Sequence, residues 1–210
     1  MTDLAVTSIT NFLLASLVFF LAGMIVQVPK ERFSAAWFWG FTMTMLGLGA
    51  LLGGIDHGFF EIPGLPRYAI QRADWVVLGL VTFGVLMTAA TQFFSRQVFR
   101  GFLVFGVSQW VVYSIIALFV DSFLVVIINY APVMIFLLVM SALGLKSGLG
   151  SRQMITGIVI LFVASGIQAA GLDTFSPVDR NGVYHLLSMV GVYFLYLGGR
   201  KLKTAREIIG

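Results

Sequence analysis

Seven apolar stretches restrict this chain more than any other feature, because each approaches or exceeds the roughly 20 residues that an α-helix needs to cross a bilayer. They cover residues 8–28, 35–60, 68–94, 98–120, 122–145, 154–172 and 182–199. Between them stand short segments of charge and turn residues: PKER at 29–32, EIPGLPR at 61–67, SRQ at 95–97, a lone Asp121, KSGLGSR at 146–152 and DTFSPVDRN at 173–181. In lipid the backbone must satisfy its own polar groups, so runs of this length are expected as helices. Breaks this short make neighbouring helices antiparallel and leave no linker that would separate two domains. The expected fold is therefore all-α: a polytopic membrane protein forming one seven-transmembrane helix bundle over residues 1–210. Composition agrees, since 10% of the residues are charged where a soluble domain carries about a quarter. The mean hydropathy of +0.99 points the same way. The N-terminal MTDLAVTSIT has no basic n-region, and Lys30 and Arg32 follow the first apolar run, so the first span is expected to be kept. With no cysteine in the chain, disulfides and thiolate metal sites are excluded.

Charge sorts by side. Threaded through seven spans, Lys30, Arg32, Arg96, Arg100, Lys146, Arg152, Arg200, Lys201, Lys203 and Arg206 fall on one side, and Arg67, Arg72 and Arg180 on the other. The positive-inside rule then places the N-terminus outside and the C-terminus in the cytoplasm. The formal charge of +4 is a consequence of this topology and implies no nucleic acid partner. Asp3, Asp56, Glu61, Asp74, Asp121, Asp173 and Asp179 all lie on the outer side, which reads as an acidic, polar mouth. The basic tail RKLKTAREIIG is expected to meet anionic headgroups.

Polar residues within the spans gather in the outer half: Asn11, Asp56, His57, Asp74, Gln168, Tyr184, His185 and Ser188, with Gln109, Asn129 and Tyr130 deeper. Ionisable groups at membrane depth are costly and face a bundle interior or a wet cavity. On the seventh span His185, Ser188, Met189, Val192 and Tyr196 share one face by helical spacing, and that face should point inward. The second span carries Gly49, Gly53, Gly54 and Gly58 at the small-residue spacing of close helix packing. Gly53 and Gly54 would also leave room beside His57. The chain has two histidines, and threading puts both at the outer ends of their spans. With Asp56 or Asp74 they supply part of a zinc set that activates water, although a closed shell needs one more protein ligand. The plainer alternative for each imidazole is a hydrogen bond to a neighbouring helix.

Three segments, TSITNFLLA at 7–15, LGGIDHGF at 52–59 and RNGVYHLLSMVGVYFLYLGGRKL at 180–202, resemble a bacterial family of uncharacterised seven-transmembrane proteins. That family is similar in layout to the ceramidase, adiponectin-receptor and Per1-like (CREST) membrane hydrolases. The resemblance implies a zinc ion near the N-terminal side of the bundle, held by a histidine closing the second helix and two histidines four apart in the seventh, with a serine and an aspartate nearby. His57 and His185 match this pattern. Met189 stands where the second histidine of the pair would be, Gly53 stands where the serine would be, and Asp74 matches the aspartate loosely.

A retinal photoreceptor would need a lysine inside the last span, and no span contains one. A transporter would carry polar groups or broken helices through the full thickness, whereas here they stop in the outer half. The function expected is an outward-facing polar pocket in a bacterial inner membrane, binding a lipid or small ligand through Asn11, His57, Tyr130, Gln168, Tyr184, His185 and Ser188 in a sensor or assembly role. The alternative is a zinc-dependent hydrolase of a lipid amide or ester, with His57 and His185 as metal ligands and Asp74 or Asp56 as base.

Overall fold

Apolar runs decide where the helices form, and short polar side chains decide where several of them begin. In the computed structural model the described residues are 3–28, 30–60, 62–171 and 178–205. Expectations that fall on Pro29, Glu61, residues 172–177, Arg206 and Glu207, and on the side chain of Asp3, lie outside them. The helices are α1 (Asp3–Val26), α2 (Ala35–Phe59), α3 (Leu65–Phe93), α4 (Arg96–Phe119), α5 (Leu124–Leu143), α6 (Arg152–Ala169) and α7 (Arg180–Gly199). The fold is all-helical, and all seven helices are long and apolar enough to cross a membrane, which fits a multi-pass membrane protein.

Side-chain caps start three of them. Ser34 accepts from Trp37 N at 3.3 Å, Ser151 from Met154 N at 3.3 Å and Asp179 from Gly182 N at 2.9 Å, each relieving an orphan amide of the first turn. Helix α3 begins at Leu65, inside the EIPGLPR segment read from sequence as a break. Pro66 at its first turn has no amide to satisfy and a backbone angle already suited to a helix. The Lys30 ammonium closes α1 by donating to Val26 O at 3.2 Å, to Val28 O at 2.9 Å and to Ile25 O. Gly171 follows α6 with φ of 66°, a left-handed turn that favours glycine.

Helices α1, α2, α3, α5, α6 and α7 form a closed ring, in which α7 packs back on α1 and the α5–α6 seam is the sparsest. Helix α4 sits outside the ring against α3, touching α5 lightly. The core is continuous from Val18 and Trp39 through Met43 and Val85 to Ile158 and Val192. Glycines set the close approaches. A Cβ at Gly54 would meet Phe12 at 3.0 Å and one at Gly58 would meet Ser8 Oγ at 2.5 Å, so this pair faces α1. Gly53 abuts Asn11, and the room expected beside His57 is therefore taken by α1. Gly49 turns the other way, towards Leu78 and Asp74 of α3. Helices α6 and α7 touch backbone to backbone, since a Cβ at Gly157 would lie 2.8 Å from Gly191 O.

After α7 the chain does not run free. Glu31 N donates to Thr204 O at 2.9 Å, Ala36 N to Lys203 O at 3.0 Å and Lys203 N to Gln92 Oε1 at 3.0 Å. Leu202 is buried in the core. The described part of the basic tail is thus tied by its backbone beside the start of α2 and the end of α3, with Arg200 and Lys201 left exposed.

Candidate functional site

The start of α1, the end of α2, the starts of α3, α5 and α7, and the end of α4 meet at one end of the bundle. His185 is buried on α7 together with Ser188, Val192 and Tyr196, so the face read from helical spacing does point inward. Its Nδ1 lies 2.9 Å from Thr10 Oγ1 of α1. The Thr10 hydroxyl has one proton and sits 2.9 Å from Val6 O and 3.0 Å from Thr7 O, the usual helical back-bond. With that proton on a carbonyl, Nδ1 is the donor to Thr10 and Nε2 keeps its lone pair. His57 lies within electrostatic reach of His185, so both imidazoles stand at the same end of the bundle.

Asp56 and Asp74, on adjacent helices, are also within electrostatic reach of each other. Asp56 is 5% exposed, and Arg67 Nε stands 3.6 Å from its Oδ1, near enough to pair but too far for a hydrogen bond. Among the described residues no cation is paired with Asp74. Its Oδ1 is buried without a hydrogen-bond partner, against Gly49, where an added Cβ would come within 3.2 Å. Tyr184 of α7 lies within electrostatic reach of Asp74 of α3 and Tyr130 of α5. Ser188, 3% exposed, lies beside the Tyr184 hydroxyl but outside hydrogen-bond geometry, and its Oγ is left without a partner.

Of the residues singled out from sequence, Asp56, His57, Asp74, Tyr130, Tyr184, His185 and Ser188 therefore come together. Asn11 is buried at the rim of this group against Gly53. Gln168 is turned to Asn181 Oδ1 at 2.9 Å and closes the corner between α6 and α7. Gln109 and Asn129 hydrogen-bond to one another, with Asn129 Nδ2 passing on to Thr82 Oγ1 at 3.0 Å, a polar staple joining α3, α4 and α5. Among the described residues, no three His, Asp or Glu side chains are grouped so as to hold a metal ion. Among the described residues zinc thus lacks a complete donor set: His185 has Nε2 to offer while Thr10 engages its Nδ1, but Met189 and Gly53 contribute no imidazole or hydroxyl.

Two residues beside the site have roles that sequence did not reveal. Arg72, 3% exposed, donates to Ala117 O at 3.0 Å, to Val120 O at 2.8 Å and to Asp121 Oδ1 at 2.7 Å. Its guanidinium also lies over the rings of Tyr68 and Trp75, at 4.5 and 4.3 Å. It is a cation at the negative end of α4, held between aromatic faces. Tyr113 lies within reach of Asp74 and donates to Trp75 O at 2.9 Å. Two of the acids expected to form a mouth are used in structure: Asp121 pairs with Arg72, while Asp179 caps α7 and accepts from Thr7 Oγ1 at 2.8 Å.

No curated protein and no solved structure matches the chain. The model of a family of unknown function, DUF6962, matches residues 6–204, so the chain belongs to that family.

Proposed function

We propose that this protein is a multi-pass membrane protein of a bacterial inner membrane that binds the polar head of a lipid or small amphiphile at the end of the bundle where α2, α3 and α7 converge. In this reading the N-terminus is outside, the C-terminus is cytoplasmic and the site opens outward, in keeping with the sorting of Lys and Arg. The role is binding, as a sensor or an assembly component, rather than catalysis. The observation that carries it is the Ser188 hydroxyl, which is buried and unpartnered. Two further buried oxygens of the same group without a hydrogen bond support it: Asp74 Oδ1, and Asp56 Oδ1, which has the Arg67 ion pair at 3.6 Å. Buried polar atoms are nearly always satisfied, and orphans in one group call for a partner from outside the chain. Two of the three are carboxylate oxygens, and His185 Nε2 adds a third kind of acceptor. The ligand sought is therefore one that donates hydrogen bonds, through hydroxyl or amine groups.

Native mass spectrometry of the protein extracted in mild detergent tests this. Wild type is expected to retain a small molecule that Asp74→Asn and Ser188→Ala release while remaining folded. Ligand-free wild type, or retention unchanged in both variants, would count against the site.

A metal-dependent hydrolase of a lipid amide or ester is the second reading, favoured by the two imidazoles sharing one end and by the lone pair left on His185 Nε2. It lacks a third protein ligand among the described residues. Near-stoichiometric zinc that disappears in a His57→Ala, His185→Ala double variant would favour it, and metal-free folded protein would remove it.

A further inference from the structure

At the opposite end of the bundle an apolar groove of about 240 Å3 opens between α2, α3 and α4, lined by Trp37, Phe38, Phe41, Phe83, Phe99 and Leu103. Its rings are packed against each other: Phe38 lies 6.4 Å from Phe83 and 6.2 Å from Phe99, and Trp37 stacks on Phe41 at 6.3 Å. The volume falls below the roughly 300–1,000 Å3 of sites for drug-sized ligands and suits a length of one hydrocarbon chain.

The rim says what kind of chain. On α4, Arg96 and Arg100 each precede a lining residue, Phe99 and Leu103, by three residues, so all four lie on neighbouring positions of one helix face. Long side chains on a helix lean towards its N-terminus, so both guanidiniums lie on the side of Phe99 and Leu103 nearer that end of the bundle. Both arginines are exposed. Arg32, also exposed, directly precedes Phe33, a further lining residue. Neither α2 nor α4 has an acid in its first turn. The acid nearest in sequence is Glu31, exposed and not part of the lining. An apolar slot rimmed by guanidiniums, with no carboxylate in its lining to meet an ammonium, matches an amphiphile whose head is anionic. Guanidinium also pairs bidentately with phosphate.

We propose that this groove holds an anionic phospholipid, with one acyl chain along the aromatic lining and its phosphate at Arg96 and Arg100, assisted by Arg32. This rests on residues separate from the polar site and does not depend on it. The test is native mass spectrometry of delipidated protein titrated with phosphatidylglycerol or phosphatidylcholine of identical chains.

With two to three arginines at the head, phosphatidylglycerol is expected to be retained at least about tenfold better than phosphatidylcholine. Arg96→Gln with Arg100→Gln should abolish the preference without loss of helical circular dichroism, since both side chains are exposed. Leu103→Trp, which fills the slot and leaves the charges alone, should lower retention of both lipids. Equal retention of the two lipids by wild type overturns the proposal, as does a preference that survives in the double variant. Unchanged retention in Leu103→Trp overturns the placement of the chain in the groove.

Discussion

Ser188 and Thr10 sit on facing helices, α7 and α1, and their substitution should have opposite consequences. The Ser188 hydroxyl makes no hydrogen bond, so Ser188→Ala removes an unsatisfied group and should leave the melting temperature in detergent unchanged or slightly raised. Thr10→Val strands the His185 Nδ1 in a buried position and should cost about 1–3 kcal/mol, seen as a lower melting temperature. A serine variant as unstable as the threonine variant would mean that Ser188 has a protein partner after all. Arg72→Gln should cost a similar 2–3 kcal/mol, because two carbonyls at the end of α4 lose a charged donor. The inward face of α7 was legible as i, i+3, i+4 spacing around His185, and so was the depth of the polar group. The role of Arg72 was not. Its partners include backbone carbonyls some 45 residues away, which carry no residue-type signal, and by charge alone it reads only as one of three cations on the outer side.

Among the helices, glycine positions separate packing from flexibility. Gly157→Ala would press a methyl onto Gly191 O and should cost about 1–3 kcal/mol in thermal unfolding. At Gly23 a Cβ would meet nothing within 4 Å, so Gly23→Ala should leave the melting temperature where it is or raise it. Equal sensitivity at the two positions would show that the α6–α7 contact is not as close as described. The seven helices themselves were legible to within a few residues because their apolar runs are long and the breaks carry charge. Two helices begin earlier than expected: α1 at Asp3 rather than Ser8, and α3 at Leu65 rather than Tyr68, the latter because Gly64 and Pro66 look like a loop until Pro66 is recognised as a first-turn residue. The small-residue spacing of α2 announced its approach to α1. The α6–α7 contact went unread because its glycines, 157, 191 and 198, are spread over two helices and show no local repeat.

For the whole molecule the outstanding question is which way it faces. The chain has no cysteine, so single cysteines can be introduced on an empty background. Ser122 and Ser147 are exposed and lie at opposite ends of the bundle. An impermeant maleimide is expected to label Ser122→Cys in intact cells and Ser147→Cys only after the membrane is opened; the reverse pattern would invert the proposed topology. Inversion would turn the site towards the cytoplasm without dissolving it, because the closed ring brings Asp56, Asp74, Tyr184, His185 and Ser188 together whatever the orientation.

The binding site itself is tested most directly by an experimental density map of the protein extracted with its native lipids. The predicted result is non-protein density within about 3 Å of Ser188 Oγ, reaching to the Asp74 carboxylate beside Tyr184. A map in which Ser188 and Asp74 hydrogen-bond to the protein's own side chains, with no further density between α2, α3 and α7, would contradict it.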